Sequence, residues 1–557
     1  MQQFSALQLS PGNYKDMKKS ILTILAVCAA MGAQAATFGW GSIDERYPKE
    51  GAVATSKTIA LDAWRGERVS AQAIIQTQAD LSDVTISASD LKCGRSIIPS
   101  SAISTYFVRY VIVNTYADKS VEAIAADRLD ESPATELKAG INCPVWMEIK
   151  VPADAAPGLY KGTLSANCDG KTIAIPYKLN VSERILPEPS EWSFHLDLWQ
   201  NPFAVARFFN VPLWSEEHFN VMRPVMERYA AAGGKVITAS IIQHPWDCQT
   251  FDPFESMIAK MKQIDGSWKY DYAVFDKWVE FMMSCGIKEQ IDCYTLVPWT
   301  YKFDYYDCAT NSVKFIQASP EAPGYREFVL PFLKDFAAHL KAKGWFDITC
   351  IAMDERPAEQ MKAAYTIVKE ADSDYRIEGA ANYSVESEGA ELMYDMSVGY
   401  NFNLVTGKAL EARKASGKKL TFYTCCGPEK PNTFTFSDPA ESAFLGWHAA
   451  ALGYDGYLRW AFNSWSPDPD NDTRYEPWSS GDCYLVYPNG SSIRFERLVE
   501  GIQDYEKIRI LREELSAEEL SSLEEILAKN FASNSYDGNQ PAAGLLCEGK
   551  KILKNFF

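Results

Sequence analysis

Apolar and polar positions alternate with one period in the first third of the chain and with another in the rest. From Thr37 to about Glu183 the hydrophobic signal comes in short runs with a two-residue period and many β-branched residues: Val69–Thr77, Val84–Ala88, Thr105–Asn114, Val145–Val151, Tyr160–Asn167 and Lys171–Val181. Such alternation puts one side of each run inward and the other outward, as in a half-buried strand. Turn residues separate the runs, among them Ala156-Pro157-Gly158 and Asp169-Gly170, and no long helical pattern interrupts them. The pattern predicts an antiparallel β-sandwich over residues 36–186. Leu186-Pro187-Glu188-Pro189-Ser190 then breaks the rhythm, and two prolines so close make a stiff boundary.

Beyond the boundary the pattern becomes strand, loop, helix, repeated. Candidate strands fall at Ser193–Leu198, Lys235–Ile241, Gln290–Leu296, Asp347–Met353, Arg376–Ala381, Met396–Asn401, Lys419–Thr424 and Gly456–Phe462. Helical spacing predicts Ser215–Ala231, Tyr272–Cys285, Tyr325–Ala342, Ala358–Glu370, a short and weakly marked helix near Ser384–Leu392, Val405–Ala415, Pro439–Ala451 and Ile493–Glu514. Eight such units predict an α/β fold, a (β/α)8 barrel over residues 190–557 with loop insertions and C-terminal helices. An open doubly wound sheet often carries a Gly-rich phosphate turn after its first strand; here Trp199-Gln200-Asn201-Pro202 follows instead.

In a barrel of this kind chemistry gathers at the C-terminal strand ends. Those positions read Asp197 and Trp199; Gln243, His244, Trp246 and Asp247; Tyr294 and Trp299; Asp354 and Glu355; Asn382 and Tyr383; Tyr400, Asn401 and Asn403; Tyr423; and Arg459, Trp460, Asn463 and Trp465. Rings, amides and carboxylates suit a carbohydrate, which offers hydroxyls to polar groups and a C–H face to aromatics. Some of these aromatics are expected simply to pack. From position, His244, Trp299, Tyr383, Trp460, Asn463 and Trp465 are the candidates for holding a sugar. The sharpest feature is Ile351-Ala352-Met353-Asp354-Glu355-Arg356-Pro357, an apolar strand ending in two adjacent acids. Neighbouring carboxylates repel, which raises one pKa and keeps a proton available for acid catalysis. The plainer explanation is an Arg356 ion pair or an acid at the start of the next helix, with Pro357 placed to begin it.

Composition narrows the partners. The 557 residues carry 55 Lys plus Arg against 73 Asp plus Glu, a net charge of −18, with no basic run, which argues against nucleic acid. Met17-Lys18-Lys19-Ser20, the apolar run Ile21–Met31 and Ala33-Gln34-Ala35 form a secretory signal, so residues 1–35 are expected to be removed, with Met17 as the start, and the protein exported to the periplasm or the medium. Leu25-Ala26-Val27-Cys28 resembles a lipoprotein box, but Val27 stands where a small residue is wanted. No later segment offers about 18 uninterrupted apolar residues, so no integral membrane segment is expected. No Cys-x-x-Cys pair and no Cys/His cluster has zinc spacing, so neither metal nor cofactor is expected. Cys293, Cys350, Cys425 and Cys426 fall in apolar runs and read as buried free thiols. The oligomeric state is left open.

The strand-4 motif Met353-Asp354-Glu355-Arg356-Pro357, the final-strand region Gly456–Trp465, and the later Gly481-Asp482, Leu485-Val486-Tyr487-Pro488 and Arg497–Glu506 segments resemble glycoside hydrolase family 123. The sandwich-then-barrel layout agrees, so the resemblance spans nearly the whole chain after residue 35. Many relatives read Asp-Glu-Pro; here Arg356 intervenes. The resemblance implies a β-N-acetylgalactosaminidase acting on glycans that carry a 2-acetamido sugar, with the substrate's own acetamido group as nucleophile. It implies Glu355 as general acid and base and Asp354 as the acceptor of the acetamido N–H. The alternatives are another specificity on the same scaffold, such as a β-N-acetylglucosaminidase, or a non-catalytic glycan-binding protein.

Overall fold

All eight candidate runs that follow Pro189 are strands of one parallel sheet in the computed structural model, which describes residues 36–381, 389–401, 405–533, 536 and 540–557. The proposed leader, residues 1–35, lies outside these. The barrel strands are β1 (His195–Leu198), β2 (Val236–Ser240), β3 (Gln290–Tyr294), β4 (Thr349–Met353), β5 (Arg376–Ala381), β6 (Asp395–Gly399), β7 (Lys419–Tyr423) and β8 (Gly456–Arg459). Each pairs in parallel with the next from β2 to β8, and β8 pairs with β1. Between β1 and β2 closure narrows to the Leu196–Gly234 bridge, where Lys235 N–H donates to Leu196 O at 3.0 Å. Several predicted runs overshoot these strands by one to three residues. The chain stays buried past the strand tips, as at Leu296 and Phe462, so the apolar signal continues where the ladder has ended.

Helices follow the strands as the spacing predicts: Glu216–Ala230, Ala273–Ser284, Pro323–Lys343, Ala358–Ala371, Gly407–Ala415, Pro439–Leu452 and Ile493–Glu514. Ser215 and Ser492 cap two of them, each accepting a backbone N–H of the first turn. The weak fifth helix is a 3-10 turn at Ala390–Leu392, and residues 382–388 before it lie outside the described set. The helices Pro439–Leu452 and Ile493–Glu514 meet backbone to backbone. A Cβ on Gly446 would stand 2.1 Å from Gly501 O, and one on Gly501 would stand 2.3 Å from Ala443 O, so only glycine fits at this crossing. Two insertions went unforeseen: a helix at Pro202–Phe209, and a four-stranded sheet from Ala259–Lys262, Trp268–Asp271, Lys302–Asp307 and Ser312–Gln317. Among the described residues no helix is long and apolar enough to cross a membrane.

Residues 36–185 form two packed sheets. One runs Ala36–Trp40, Arg68–Thr77, Asn142–Lys150, Ile103–Val113 and Ala123–Asp130; the other runs Ile59–Arg65, Lys171–Ile185, Gly158–Cys168, Leu81–Ala88 and Ala134–Leu137. Pairing is antiparallel as expected, except that Ile59–Arg65 runs parallel to Lys171–Ile185. The Asp169-Gly170 turn has φ of +47° and +82°, the left-handed geometry that suits a tight hairpin. The first sheet gains a sixth strand, Gly490–Ser492, from beyond the barrel's last strand, paired against Ala123–Asp130. Beside it the buried Asp127 accepts from Arg494 Nε at 3.0 Å, Arg46 at 2.9 Å and Tyr487 Oη at 2.8 Å.

Candidate active site

A pocket opens where β4, β7 and β8 end. Its lining includes Asp354, Glu355, Tyr423, Trp199, Trp246, Trp299, Trp460 and Trp478, with Gln249, Cys425 and Cys426. Asp354 is the first residue past β4. Its Oδ1 accepts the Glu355 amide N–H at 2.8 Å and its Oδ2 accepts the Trp299 indole N–H at 3.0 Å. Burial pushes the Asp354 carboxyl above the ordinary range; those two hydrogen bonds and the nearby Arg356 charge pull the other way. Glu355 is also raised, first by burial and then by the neighbouring Asp354 charge, against the phenol of Tyr423, which donates to Glu355 Oε1. Two adjacent acids therefore share one site, each holding a proton more tightly than a free carboxylate.

Arg356 forms no salt bridge with the pair. Its guanidinium lies over the rings of Trp299 and Tyr301, 4.8 Å from each centroid, which fixes Trp299 at the mouth with 38% of its surface exposed. The floor is aromatic: Trp199 stacks on Trp246 at 4.9 Å, and Tyr294 tilts against both at 4.4 and 5.0 Å. The opposite wall is Trp460, edge-on to Trp478 at 5.5 Å. Its indole N–H donates to Asp482 Oδ1, which also accepts Arg459 at 2.9 Å, so this buried carboxylate orients the wall. Trp478 is held by Gln249 O at 2.8 Å.

Beneath the floor lies a layer of acids from alternate strands: Asp197 on β1, Asp292 on β3 and Glu378 on β5, with carboxylate atoms within 4.8 Å of one another. They are the described group whose spacing suits a cation, and single-sequence spacing could not reveal them because alternate strands fill a barrel layer. Burial first, and repulsion from neighbouring carboxylates, Asp395 among them, second, push all three well above the ordinary range. Against the same burial, His195 and Lys419 hold Asp395 well below that range, with His195 Nε2 at 2.7 Å. Asp197 and Glu378 in turn accept from Trp199 Nε1 and Tyr294 Oη, which ties the acid layer to the pocket floor.

The structure brings four of the eight candidate residues to the pocket: Asp354, Glu355, Trp299 and Trp460. Trp465 is fully buried with its indole N–H on Val486 O at 2.8 Å, and packs against Phe208 and Phe209. Asn463 is equally buried. Its amide clamps the β1 loop, accepting Asn201 N–H and donating to Asn201 O, both at 2.9 Å. Both side chains are engaged in holding loops and neither is in the pocket lining. His244 has left-handed backbone (φ +51°) and its amide donates to Phe254 O at 2.8 Å; its side chain is not part of the lining. Tyr383 lies outside the described residues. Tyr423 and Trp246 were visible as strand-end aromatics but not selected, and Trp478, eighteen residues beyond Trp460, carried no positional signal at all. The thiols also divide. Cys293 and Cys350 are buried as expected, but Cys426 is exposed and Cys425 half-buried, because both follow the end of β7 instead of belonging to it.

A family profile described as "Glycoside hydrolase 123, catalytic domain" matches residues 199–511, and "Glycoside hydrolase 123 N-terminal domain" matches residues 40–167. Among solved structures, a family 123 glycoside hydrolase from Clostridium perfringens superposes with a TM-score of 0.85 at 26% identity, covering 94% of this chain and 97% of that one. A GH2 β-galacturonidase from Eisenbergiella tayi aligns at a TM-score of 0.30 and 10% identity over 78% of this chain and 69% of its own, a likeness too low to carry an argument. No curated protein matches the sequence.

Proposed function

Because the chain belongs to the glycoside hydrolase 123 family and is a glycosidase, we propose that it is an exported β-N-acetylgalactosaminidase that cleaves by substrate-assisted, retaining hydrolysis. The observation that carries this reading is the acid pair itself. A retaining glycosidase with its own nucleophile needs carboxyls about 5 Å apart on opposite sides of the bond. Here Asp354 and Glu355 are consecutive, and among the described lining residues they are the acids. Asp482 is turned away, engaged by Arg459 and Trp460.

The residues divide the work as follows. Glu355, whose proton is held more tightly by burial and its neighbour's charge, donates that proton to the leaving oxygen while the acetamido carbonyl oxygen attacks the anomeric carbon from the other face. Asp354, fixed by the Trp299 indole and the Glu355 amide, accepts the acetamido N–H and offsets the positive charge that develops on the ring formed. Glu355 then takes a proton from water as that water opens the ring, and the configuration is retained. Trp299, Trp460 and the aromatic floor supply faces for the sugar C–H groups. The Clostridium perfringens relative is described in terms of glycolipid glycan hydrolysis, and terminal 2-acetamido sugars of glycans are the substrate class proposed here.

The test is a panel of 4-nitrophenyl N-acetylgalactosaminide, N-acetylglucosaminide and galactoside. Turnover of the first, with tight binding of a thiazoline analogue of the cyclic intermediate, is expected. Hydrolysis of the plain 2-hydroxy galactoside at an equal rate, or a glycosyl ester trapped on any carboxylate, would overturn the mechanism.

A further inference from the structure

Cys425 and Cys426 are adjacent in sequence, and their Sγ atoms lie 3.7 Å apart at the wall of the pocket that holds Asp354, Glu355 and Tyr423. Cys426 is exposed, so a reagent reaches it directly. The peptide joining the two residues is built into the site. Its carbonyl, Cys425 O, accepts Asn432 Nδ2 at 3.0 Å, and Asn432 Oδ1 accepts Arg459 at 2.9 Å, the same guanidinium that reaches Asp482 and through it the Trp460 wall. Two residues upstream, Tyr423 donates to the catalytic Glu355.

We infer that this thiol pair is a modification site: a small-molecule disulfide converts it to a Cys425–Cys426 disulfide, and that closure lowers glycosidase activity reversibly. A sulfur of the small disulfide is attacked by Cys426 Sγ, one thiol leaves, and Cys425 Sγ displaces the second. Two protein thiols and one small disulfide thus become one protein disulfide and two small thiols. The Cys426 thiol is acidified, chiefly by the hydrogen bond that Cys425 offers it, which favours Cys426 as the attacking sulfur. Closing the eight-membered ring between adjacent residues turns the peptide unit between them, because their Cα atoms are about 3.8 Å apart where unstrained disulfides want about 4.4–6.8 Å. The Cys425 carbonyl then leaves Asn432, and the disturbance reaches both Tyr423 and the Arg459–Asp482–Trp460 wall. Strain of this kind also makes the bond easy to reduce, so thiols restore the site.

The full chain is incubated with oxidised glutathione and read two ways. Peptide mapping is expected to show the segment containing both residues losing the mass of two hydrogens, without a retained glutathione. kcat/KM is expected to fall roughly tenfold to a hundredfold and to recover with dithiothreitol. Cys426→Ser, compared with its own untreated rate, is expected to lose the reversible inhibition, and Cys425→Ser is expected to stop at a mixed disulfide on Cys426. A stable mixed disulfide on either residue of the unaltered chain, ring closure without a change in rate, or inhibition that survives in Cys426→Ser would overturn the inference. The mass readout needs no glycoside, so it stands or falls separately from the proposed 2-acetamido specificity.

Discussion

At the scale of single residues the acid pair makes two predictions. Glu355→Gln removes the proposed proton donor, and kcat/KM is expected to fall by about 10²–10⁴ on glycosides with poor leaving groups and far less on activated aryl glycosides, which need little protonation. An equal loss across a leaving-group series would exclude Glu355 as the acid. Tyr423→Phe tests the neighbouring phenol. That hydrogen bond favours the Glu355 carboxylate and so lowers its pKa against the burial that raises it. Without the phenol the Glu355 pKa rises, and the alkaline limb of the kcat/KM profile is expected to move to higher pH. A limb that stays in place, measured on a variant of unchanged melting temperature, would show that the bond does not set the proton affinity of the acid. The pair stood out as a candidate because two charges ending a buried strand are costly unless paired or used, and the competing explanation, an Arg356 ion pair, gives way to a guanidinium stacked on Trp299 and Tyr301. Tyr423 was not singled out, since an aromatic at a strand tip looks the same whether it packs or serves.

Elements were easier to read than side-chain roles. Strands buried on both faces read as largely apolar runs, and all eight barrel strands were placed that way even though Asp197, Asp292 and Glu378 interrupt three of them. The loops that follow them were not so readable, because Trp460 and Trp465 carry the same residue type and differ only in which way they turn. Trp465→Ala should therefore cost about 3–5 kcal/mol of stability, as loss of a buried aromatic does, and whatever fraction remains folded should keep a near-normal KM. A raised KM in a variant of unchanged melting temperature would return Trp465 to the pocket. The acid layer on β1, β3 and β5 predicts a pH response. Asp197, Asp292 and Glu378 bind protons more tightly folded than unfolded. Their contribution is therefore full below the ordinary carboxylate range and is lost as pH climbs from there through their raised folded values. Asp395 has the opposite sign: its contribution is present above the ordinary range and is lost in acid. Asp292→Asn needs no such proton, and its melting temperature should fall less than that of the wild type between about pH 6 and about pH 9. A parallel fall in both proteins would show that Asp292 carries no excess proton.

Across the whole molecule the sandwich and the barrel share structure instead of merely touching. Asp127 of the sandwich neutralises the fully buried Arg494 of the long helix that begins at Ile493, and the sixth strand of the sandwich comes from the barrel half. Asp127→Ala is expected to cost about 3–5 kcal/mol, because it leaves a buried guanidinium without its counter-ion. Calorimetry should show one transition for both halves; two well-separated transitions would mean that the halves melt independently. The sequence showed where the period changes, near Pro187–Pro189, but not this exchange, since three residues spelled Gly490-Ser491-Ser492 carry no strand signal of their own. Arg494 follows Asp127 by 367 residues along the chain. A ribosome adding about 5–20 residues per second needs roughly 20–70 s to cover that stretch. Throughout that interval the nascent sandwich holds an open sheet edge along Ala123–Asp130, and its Asp127 has Arg46 but not yet Arg494 or Tyr487. Its final seal must wait for nearly the entire barrel to be translated, so early release, pausing or truncation of synthesis should yield an amino-terminal fragment that holdase chaperones retain and proteases clear.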